Sequence, residues 1–215
     1  MNLIRTHWGP PPKLINVTQI DVVGMAALLA TPLPASSDFD LNPGLPLPPD
    51  RDLRPAAVLI GLWDRPGGLH LILTKRASHL LHHPGQIAFP GGKVDPDDVN
   101  ATAAALREAQ EEIGLAPSLV AVLGQLPDHE TVTGFLIAPV LGHIRADFAP
   151  VPLRGEVDEV FSVPLQHVLL PANYQIHSRL WRGEVRRYYA VPYGPYYIWG
   201  ATARILRGLA DRVTR

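Results

Sequence analysis

The stretch that decides the fold is "VNATAAALREAQEEIG", residues 99–114. Its alanine-rich first half has high helix propensity, and Gly114 suits the position that follows a last helical turn. Three glutamates, Glu108, Glu111 and Glu112, lie near the C-terminal end of this helix. Residues three or four apart are neighbours, so these carboxylates repel one another where the macrodipole favours positive charge. Helix stability therefore does not explain them.

The segment before the helix, "GQIAFPGGKVDPDD" at residues 85–98, contains an apolar strand that ends at Pro90. Gly91 and Gly92 follow, and they allow the backbone to approach a ligand closely. The acidic turn then leads into the helix, which Asn100 or Asp98 can cap. A strand, a glycine loop and an acidic helix in succession indicate a candidate site.

Carboxylates clustered on one rigid face suit a hard divalent cation. Mg²⁺ takes oxygen ligands and shares its coordination shell with water and substrate phosphates. Glu108 and Glu112, at positions i and i+4, could hold one ion together. The alternative is a solvated acidic face, which is the usual meaning of a run of like charges.

Composition limits the classes of protein. The chain has 215 residues, 47% of them hydrophobic, which is enough for one substantial core. A formal net charge of −1 provides no global field for nucleic acid or an acidic membrane, and the absence of cysteine excludes disulfides and thiolate chemistry. No signal peptide or membrane span is evident, so we expect a cytoplasmic protein, with the choice between monomer and homodimer open.

Residues 1–55 are expected to form an N-terminal extension to a main domain at residues 56–215. The stretch "TQIDVVGMAALLAT", residues 18–31, has helical character with Thr18 as its cap. Its apolar positions, expected to pack on the main domain, are Ile20, Val23, Ala27 and Leu28.

Residues 31–55 contain seven prolines, which disfavour both a helix and a central strand. We expect an extended connector there. Three leucines could attach it to the protein surface: Leu41, Leu45 and Leu47.

The sequence of the main domain predicts a mixed α/β fold. Its helices are expected in "VNATAAALREAQEEIG" and in "GATARILRGLADRV", residues 200–213. Apolar runs that indicate strands are "AAVLIGLW", "LHLILTKR", "LVAVLGQL", "FLIAPVLGHI" and "EVFSVPL". The first two are separated by "DRPGG", which predicts a hairpin.

Two glycines, a spacer and "REAQEEIGL" resemble the signature of the Nudix hydrolases, which ends in Arg-Glu-apolar-x-Glu-Glu-x-Gly-apolar. One departure concerns the loop: Asp98 occupies the place of a glutamate, and one extra residue separates Gly92 from Arg107. The matching residues are Arg107, Glu108, Ala109, Glu111, Glu112, Gly114 and Leu115.

A second stretch, "LTKRASHLLHHPGQIAFPGG" at residues 73–92, resembles the segment before this signature in the coenzyme A pyrophosphatases of the Nudix family. "YYIWGATARIL", residues 196–206, is similar to the same subfamily. Leu81 stands where the subfamily has an arginine. Either a substrate contact is lost there, or a neighbour such as Arg76, His82 or His83 replaces it.

The resemblance implies the Nudix fold, an α/β architecture in which a mixed β-sheet is sandwiched between α-helices. It also implies that water cleaves the diphosphate of coenzyme A, or of a derivative, to 3′,5′-ADP and 4′-phosphopantetheine with Mg²⁺ or Mn²⁺ as cofactor. Glu108, Glu112 and Glu111 would then be catalytic metal ligands, and Arg107 would hold Glu111 in place.

Further residues are expected at this site. Lys75 and Arg76 follow an apolar strand and could bind substrate phosphates together with the backbone of Gly91 and Gly92. The general base is left open among Glu111, Glu156 and Glu159.

The alternative functions are hydrolysis of another nucleoside diphosphate derivative, and nucleotide binding by a non-catalytic Nudix-like domain. Loss of the carboxylates of the signature would be expected in a non-catalytic domain. All three are present in this chain.

Overall fold

The computed structural model describes residues 20–30, 32, 34–45, 51–181 and 183–213. Its helices are α1 (Val22–Leu28), α2 (Ala101–Ile113), α3 (Leu165–Leu169) and α4 (Ala201–Val213). Its strands are β1 (Ser36–Ser37), β2 (Arg54–Arg65), β3 (Gly68–Arg76), β4 (Ile87–Ala88), β5 (Gly91–Lys93), β6 (Val120–Gln125), β7 (His129–Glu130), β8 (Phe135–Ile144), β9 (Val157–Pro164), β10 (Gln175–Trp181) and β11 (Glu184–Ala190). The hairpin and the other strands predicted from apolar runs are confirmed, as are both long helices. In the described ranges, no helix is long and apolar enough to cross a membrane.

The sheet is mixed, as expected. Its longest pairing joins β2 and β8 in parallel, whereas β3 pairs antiparallel with both β2 and β9. Among the described residues, nine strands belong to this sheet, and the order along its main path is β1-β7-β8-β2-β3-β4. The short strand β5 pairs with β2, so the glycine loop is attached to a central strand.

Each face of the sheet carries its own hydrophobic core. Strand β2 alternates between them: Ala57 and Leu59 pack on the side of α2, whereas Ile60 and Leu62 pack on the side of α1, α3 and α4. The sheet therefore lies between helices, and the predicted α/β sandwich is confirmed. Of the four described helices, α2 is the one that packs on the face with the candidate site.

The N-terminal helix is shorter than expected. It begins at Val22, and its cap is Asp21, whose side chain accepts a hydrogen bond from the Gly24 amide at 2.8 Å. The expected cap, Thr18, lies outside the described residues. Met25 and Leu28 are buried, but Val23 is 75% exposed and Ala27 is exposed, so the expected places of these two residues on the packed face are wrong. The buried face is formed by Met25 and Leu28, which are three residues apart and therefore neighbours on the helix.

The connector is attached to the domain more firmly than its prolines suggest. Strand β1 pairs in parallel with β7. The buried side chain of Asn42 accepts a hydrogen bond from the Arg187 amide at 2.8 Å and donates one to the Arg187 carbonyl at 2.9 Å. Leu41 and Leu45 are half-buried, whereas Leu47 lies outside the described residues.

Besides the short strands β1, β5 and β7, the elements α3, β10 and β11 were not anticipated from the sequence. Helix α3 is only five residues long. Strands β10 and β11 form a separate antiparallel hairpin, with Trp181 opposite Glu184 at its turn. The seven residues of each strand mix polar and apolar side chains with little alternation in burial, so no period-2 pattern indicated them.

Candidate functional site

Helix α2 has the predicted ends. The Asn100 side chain accepts a hydrogen bond from the Ala103 amide at 2.9 Å, and Gly114 adopts a left-handed conformation with φ of 73°. The alternative cap, Asp98, has a different partner, described below. Alanines at positions 104, 105 and 109 are fully buried against the sheet. These small side chains bring the helix axis close to the strands that carry the glycine loop.

The glycine loop lies directly against the acidic helix. The Gly91 amide donates a hydrogen bond to Glu112 Oε2 at 3.1 Å. A Cβ atom added at Gly92 would lie 2.6 Å from the Glu108 carboxylate, and one at Gly91 would lie 2.4 Å from the Ala57 carbonyl oxygen. Any larger residue would therefore separate the loop from the two carboxylates.

Glu112 is buried without a cationic side chain bonded to it. Glu112 is only 4% exposed, and within the described part of the chain its carboxylate has one hydrogen bond, which comes from the Gly91 amide. Burial raises the Glu112 pKa to about 7 against the lowering effect of that bond, and the charges of Glu108 and Glu156 raise it further. This carboxylate is therefore poised to gain from a bound cation.

Glu108 lies one turn before Glu112 on the same face. Burial raises its pKa too, although the neighbouring Arg107 guanidinium opposes that shift. Arg107 Nη1 donates to Glu108 Oε1 at 3.0 Å. The Glu108 carboxylate is thus partly neutralised by Arg107, whereas the Glu112 carboxylate is not.

Arg107 organises the solvent side of the helix. Its Nη1 also donates to Glu111 Oε2 at 3.0 Å, so the predicted pairing of Arg107 with Glu111 is present. Arg107 also forms a bidentate salt bridge with Asp98, in which Nε donates a hydrogen bond at 3.1 Å and Nη2 donates one at 2.9 Å. These bonds lower the Asp98 pKa and raise that of Arg107. Asp98 thus fixes the guanidinium that orients the two glutamates.

Glu111 is bonded to Arg107 and is half exposed, in contrast to the buried Glu112. No three acidic or histidine side chains within the described ranges converge closely enough to surround a metal ion. The donor chemistry nevertheless fits a hard divalent cation, because Glu108 and Glu112 present two adjacent carboxylates, one of them deprived of any cationic partner.

Lys75 and Arg76 are the last two residues of strand β3, near helix α2. A bulge shifts the pairing with β9 between them, so that Lys75 lies opposite Glu159 and Arg76 opposite Val157. The positive charge of Arg76 lowers the Glu112 pKa, so the two groups interact electrostatically. Its Nε atom is buried and has no hydrogen-bond partner in the described residues. A buried unpartnered donor of this kind suits an anionic ligand.

The remaining base candidates differ in their surroundings. Glu159 accepts a hydrogen bond from the Tyr196 hydroxyl at 2.5 Å. Glu156 is exposed, and its charge contributes to the raised pKa of Glu112. Glu156 therefore interacts electrostatically with Glu112, whereas Glu159 lies opposite Lys75 in the sheet and is bonded to Tyr196.

Leu81 does not line the site through its side chain, which is 94% exposed. Among the residues named as possible replacements, Arg76 interacts electrostatically with Glu112, and His83 has an unusual positive φ of 55°. Burial lowers the His83 pKa, and the charges of Arg76 and Arg179 lower it further. Arg179, on the unanticipated hairpin, is thus a cation near this loop that sequence reasoning missed.

A cleft lined by aromatic side chains was also missed. It has a volume of about 420 Å³ and lies between the end of β3 and the loop before α4. The stretch "YYIWGATARIL" was the sequence signal for this cleft, because it contributes three of the aromatic side chains that line it. Its lining includes Lys75, Ile87, Glu159, Tyr196, Tyr197 and Trp199.

The sequence matches a protein family. The NUDIX domain model matches residues 52–182, which include the glycine loop, α2 and every strand of the nine-stranded sheet except β1. Among solved structures, the crystal structure of a Nudix hydrolase from M. smegmatis, RenU, is 27% identical with a TM-score of 0.46, and covers 54% of this chain and 73% of that one.

Two curated relatives carry the name "Uncharacterized Nudix hydrolase NudL". The protein from Enterobacter sp. (strain 638) is 46% identical over 162 residues, and the one from Escherichia coli (strain K12) is 45% identical over 160 residues. Each alignment covers 74% of this chain and 83% of the relative. With a family model that matches more than half of its length and relatives this similar, the chain belongs to the Nudix hydrolase family.

Proposed function

We propose that the protein hydrolyses the diphosphate of coenzyme A, or of a coenzyme A derivative, to 3′,5′-ADP and 4′-phosphopantetheine. The observation that carries this proposal is the contact between two motifs. The glycine loop of the coenzyme A-like segment bonds Glu112 through Gly91 and packs against Glu108 through Gly92. The coenzyme A-like segment thus ends on the two glycines that begin the Nudix signature, and these glycines lie against two of its carboxylates.

Nudix hydrolases use divalent cations such as Mg²⁺ or Mn²⁺, and Glu108 and Glu112 would hold the ion here, with Glu111 as a further ligand after it leaves Arg107. When bound, the cation would neutralise diphosphate charge and lower the pKa of a water molecule. Arg107 and Asp98 keep the carboxylates oriented in the meantime.

The chain supplies the remaining parts. The Arg76 guanidinium, with its unpartnered Nε, binds a diphosphate oxygen and fixes the reacting phosphorus near Glu112. Glu156 is the best-placed general base, since Glu111 is bonded to Arg107 and Glu159 to Tyr196. The water oxygen bonds to phosphorus, the bridging P–O bond breaks, and Glu156 takes the proton of the water.

The test is product analysis by mass spectrometry after incubation with coenzyme A and Mg²⁺. We expect 3′,5′-ADP and 4′-phosphopantetheine in equal amounts, with no product from the Glu112→Gln variant. A panel of ADP-ribose and nucleoside triphosphates provides the comparison. Faster turnover of any of these would assign the enzyme to another nucleoside diphosphate derivative, and no turnover with any substrate would indicate a nucleotide-binding domain.

A further inference from the structure

Strands β10 and β11 form a two-stranded sheet whose two edges differ. The outer edge of β11 is covered by other parts of the chain. The Arg187 backbone exchanges two hydrogen bonds with the Asn42 side chain, and the Tyr189 carbonyl accepts one from the Gly200 amide at 3.1 Å. These backbone groups of β11 therefore point away from β10, and each of them already has a partner.

The outer edge of β10 is open. In an antiparallel pair, residues whose N–H and C=O groups point outward lie directly opposite one another. Arg187 lies opposite Ser178, and Tyr189 lies opposite Ile176. Ile176, Ser178 and, by the alternation of a strand, Leu180 therefore direct their backbone groups away from β11. Within the described residues, these outward groups have no hydrogen-bond partner.

The same edge carries exposed apolar side chains. Ile176 is 55% exposed and Leu180 is 72% exposed, and Val185, directly opposite Leu180, is 62% exposed. Edge strands are usually protected by proline, lysine or a bulge. Strand β10 contains neither residue, and its pairing with β11 shows no shift in register. Its arginine, Arg179, lies over the Trp199 ring, on the face of the strand opposite to these apolar side chains.

The sequence of this edge is self-complementary about Ser178. In an antiparallel pairing of β10 with a second β10, across a twofold axis at Ser178, Ile176 lies opposite the partner's Leu180. The same axis places Leu180 opposite the partner's Ile176 and Ser178 opposite the partner's Ser178. All three pairs join residues with outward backbone groups, and each pair exchanges two N–H···O bonds. Apolar side chains thereby face apolar side chains across the strands.

We propose that the edge of β10 is a homodimer interface, at which the β10 strands of two copies of this chain form a continuous four-stranded sheet. Twofold pairing satisfies the backbone groups of both copies and creates no new open edge, because the outer edge of β11 is already covered. A second copy is the occupant that fits, since it supplies apolar residues at the required spacing. The proposal uses none of the residues of the proposed function and does not rest on it.

Sedimentation velocity over a range of protein concentrations tests the association. We expect the mass of the wild type to rise from 23.5 kDa to about twice that value. Ser178→Pro removes only an outward N–H, so the pairing with β11 is kept while the central pair loses its two bonds. Its dimer dissociation constant should rise at least about tenfold, and Ser178→Ala should match the wild type. A wild type that stays at 23.5 kDa up to about 1 mM would overturn the proposal.

A mixing experiment tests the register. Ile176→Glu and Leu180→Lys each place a charge opposite an apolar side chain in their own homodimers, so each variant alone should be monomeric where the wild type is dimeric. Mixed in equal amounts, they place the new carboxylate opposite the new ammonium group, and the mixture should dimerise. Variants that each dimerise as well as the wild type would exclude β10 as the interface. A mixture that stays monomeric would overturn the pairing about Ser178.

The matched control is Val23→Lys. Val23 is 75% exposed, close to the exposure of Leu180, but it lies on α1. This variant should dimerise like the wild type, and circular dichroism with thermal unfolding should show that every variant is folded. A comparable loss of dimer in Val23→Lys would show that any added charge prevents association, and would remove the support for β10.

Hydrogen exchange followed by NMR identifies the partner of the edge. The Ser178 amide should exchange rapidly in dilute protein and become protected as the concentration rises, because a second copy then covers it. Protection that is already complete in dilute protein would mean that another segment of the same chain pairs with β10. That result would overturn the homodimer.

Discussion

Helices α2 and α4 are a matched pair with opposite roles. Each has 13 residues, lies on its own face of the sheet and buries one ionisable side chain. In α4 that side chain is Arg212, whose Nη1 donates to the Leu28 carbonyl oxygen at 2.9 Å and so attaches α1 to the domain. In α2 it is Glu112, whose neighbours include another carboxylate. The same burial stabilises the fold in one helix and prepares a ligand site in the other.

The two packed faces differ in a related way. The buried face of α4 is rich in large aliphatic side chains, and each such residue contributes roughly 1.5–3 kcal/mol when fully buried. That of α2 is mostly alanine, which contributes less but allows close approach to the sheet. Helix α2 gives up packing energy so that its glutamates can reach the glycine loop.

The largest expected effect comes from Glu112→Gln. Outer-shell changes at metal sites typically cost 10–100-fold in activity, so removal of a proposed ligand should cost more than about a hundredfold. The amide oxygen can still accept the Gly91 bond, so the fold should be retained. Steady-state kinetics with Mg²⁺ checks this, with Glu184→Gln on the exposed hairpin as control. Activity within tenfold of wild type would remove Glu112 from the metal site.

Metal binding should separate the same two proteins by thermal unfolding. At a hundredfold excess over Kd, Mg²⁺ should stabilise the wild type by about 2.7 kcal/mol and Glu112→Gln much less. Without metal, Glu112→Gln should melt at or above the wild type, because it removes a repulsive buried charge. A metal-free variant that melts well below the wild type would mean that Glu112 supports the fold.

The pH dependence of metal-free stability follows from the Glu112 pKa. Since the folded value of about 7 exceeds the unfolded value near 4.5, the native state binds more protons between these limits, and stability falls as pH rises through them. The full loss is about 3 kcal/mol. Urea unfolding at pH 4.5 and pH 8 measures how much unfolding free energy each protein loses between these pH values. The difference in this loss between wild type and Glu112→Gln is the contribution of Glu112. Parallel curves would contradict the raised pKa.

On the other helix, Arg212→Met should reduce stability and spare activity. Methionine keeps the apolar stem but leaves the Leu28 carbonyl without this donor, which typically costs about 1–3 kcal/mol. Chemical denaturation measures the loss, and kcat should match the wild type because α4 packs on the opposite face from α2. A more stable variant would mean that burial of the guanidinium outweighs its hydrogen bond.

The smallest effect concerns the start of α2. Asn100→Ala removes the cap bond to the Ala103 amide and should cost about 1 kcal/mol, with activity changed less than about twofold. Denaturant midpoints and kcat/KM measured on the same preparation test both parts. A large loss of activity would show that the glutamates depend on the first turn as well as on Arg107.

Much of this architecture followed from local pattern. Helix α2 was predictable because Asn100, the alanines and Gly114 all favour a helix with those ends, and the β2–β3 hairpin because two apolar runs flank a glycine turn. The predicted start of α1 was wrong because Asp21, three residues after Thr18, caps the helix. The β10–β11 hairpin was missed because its exposed strands carry no hydrophobic alternation.

The sequence by itself determined which groups are available: three glutamates at helical spacing, two adjacent glycines, and a basic pair at the end of a strand. Only the tertiary structure decided their states. It bonded Arg107 to Asp98, buried Glu112 at the Gly91 amide, and brought Arg179 to the ring of Trp199. Spacing along a chain specifies local neighbours, whereas burial and long-range contacts depend on how distant segments pack, and these set the pKa values and partners of the site.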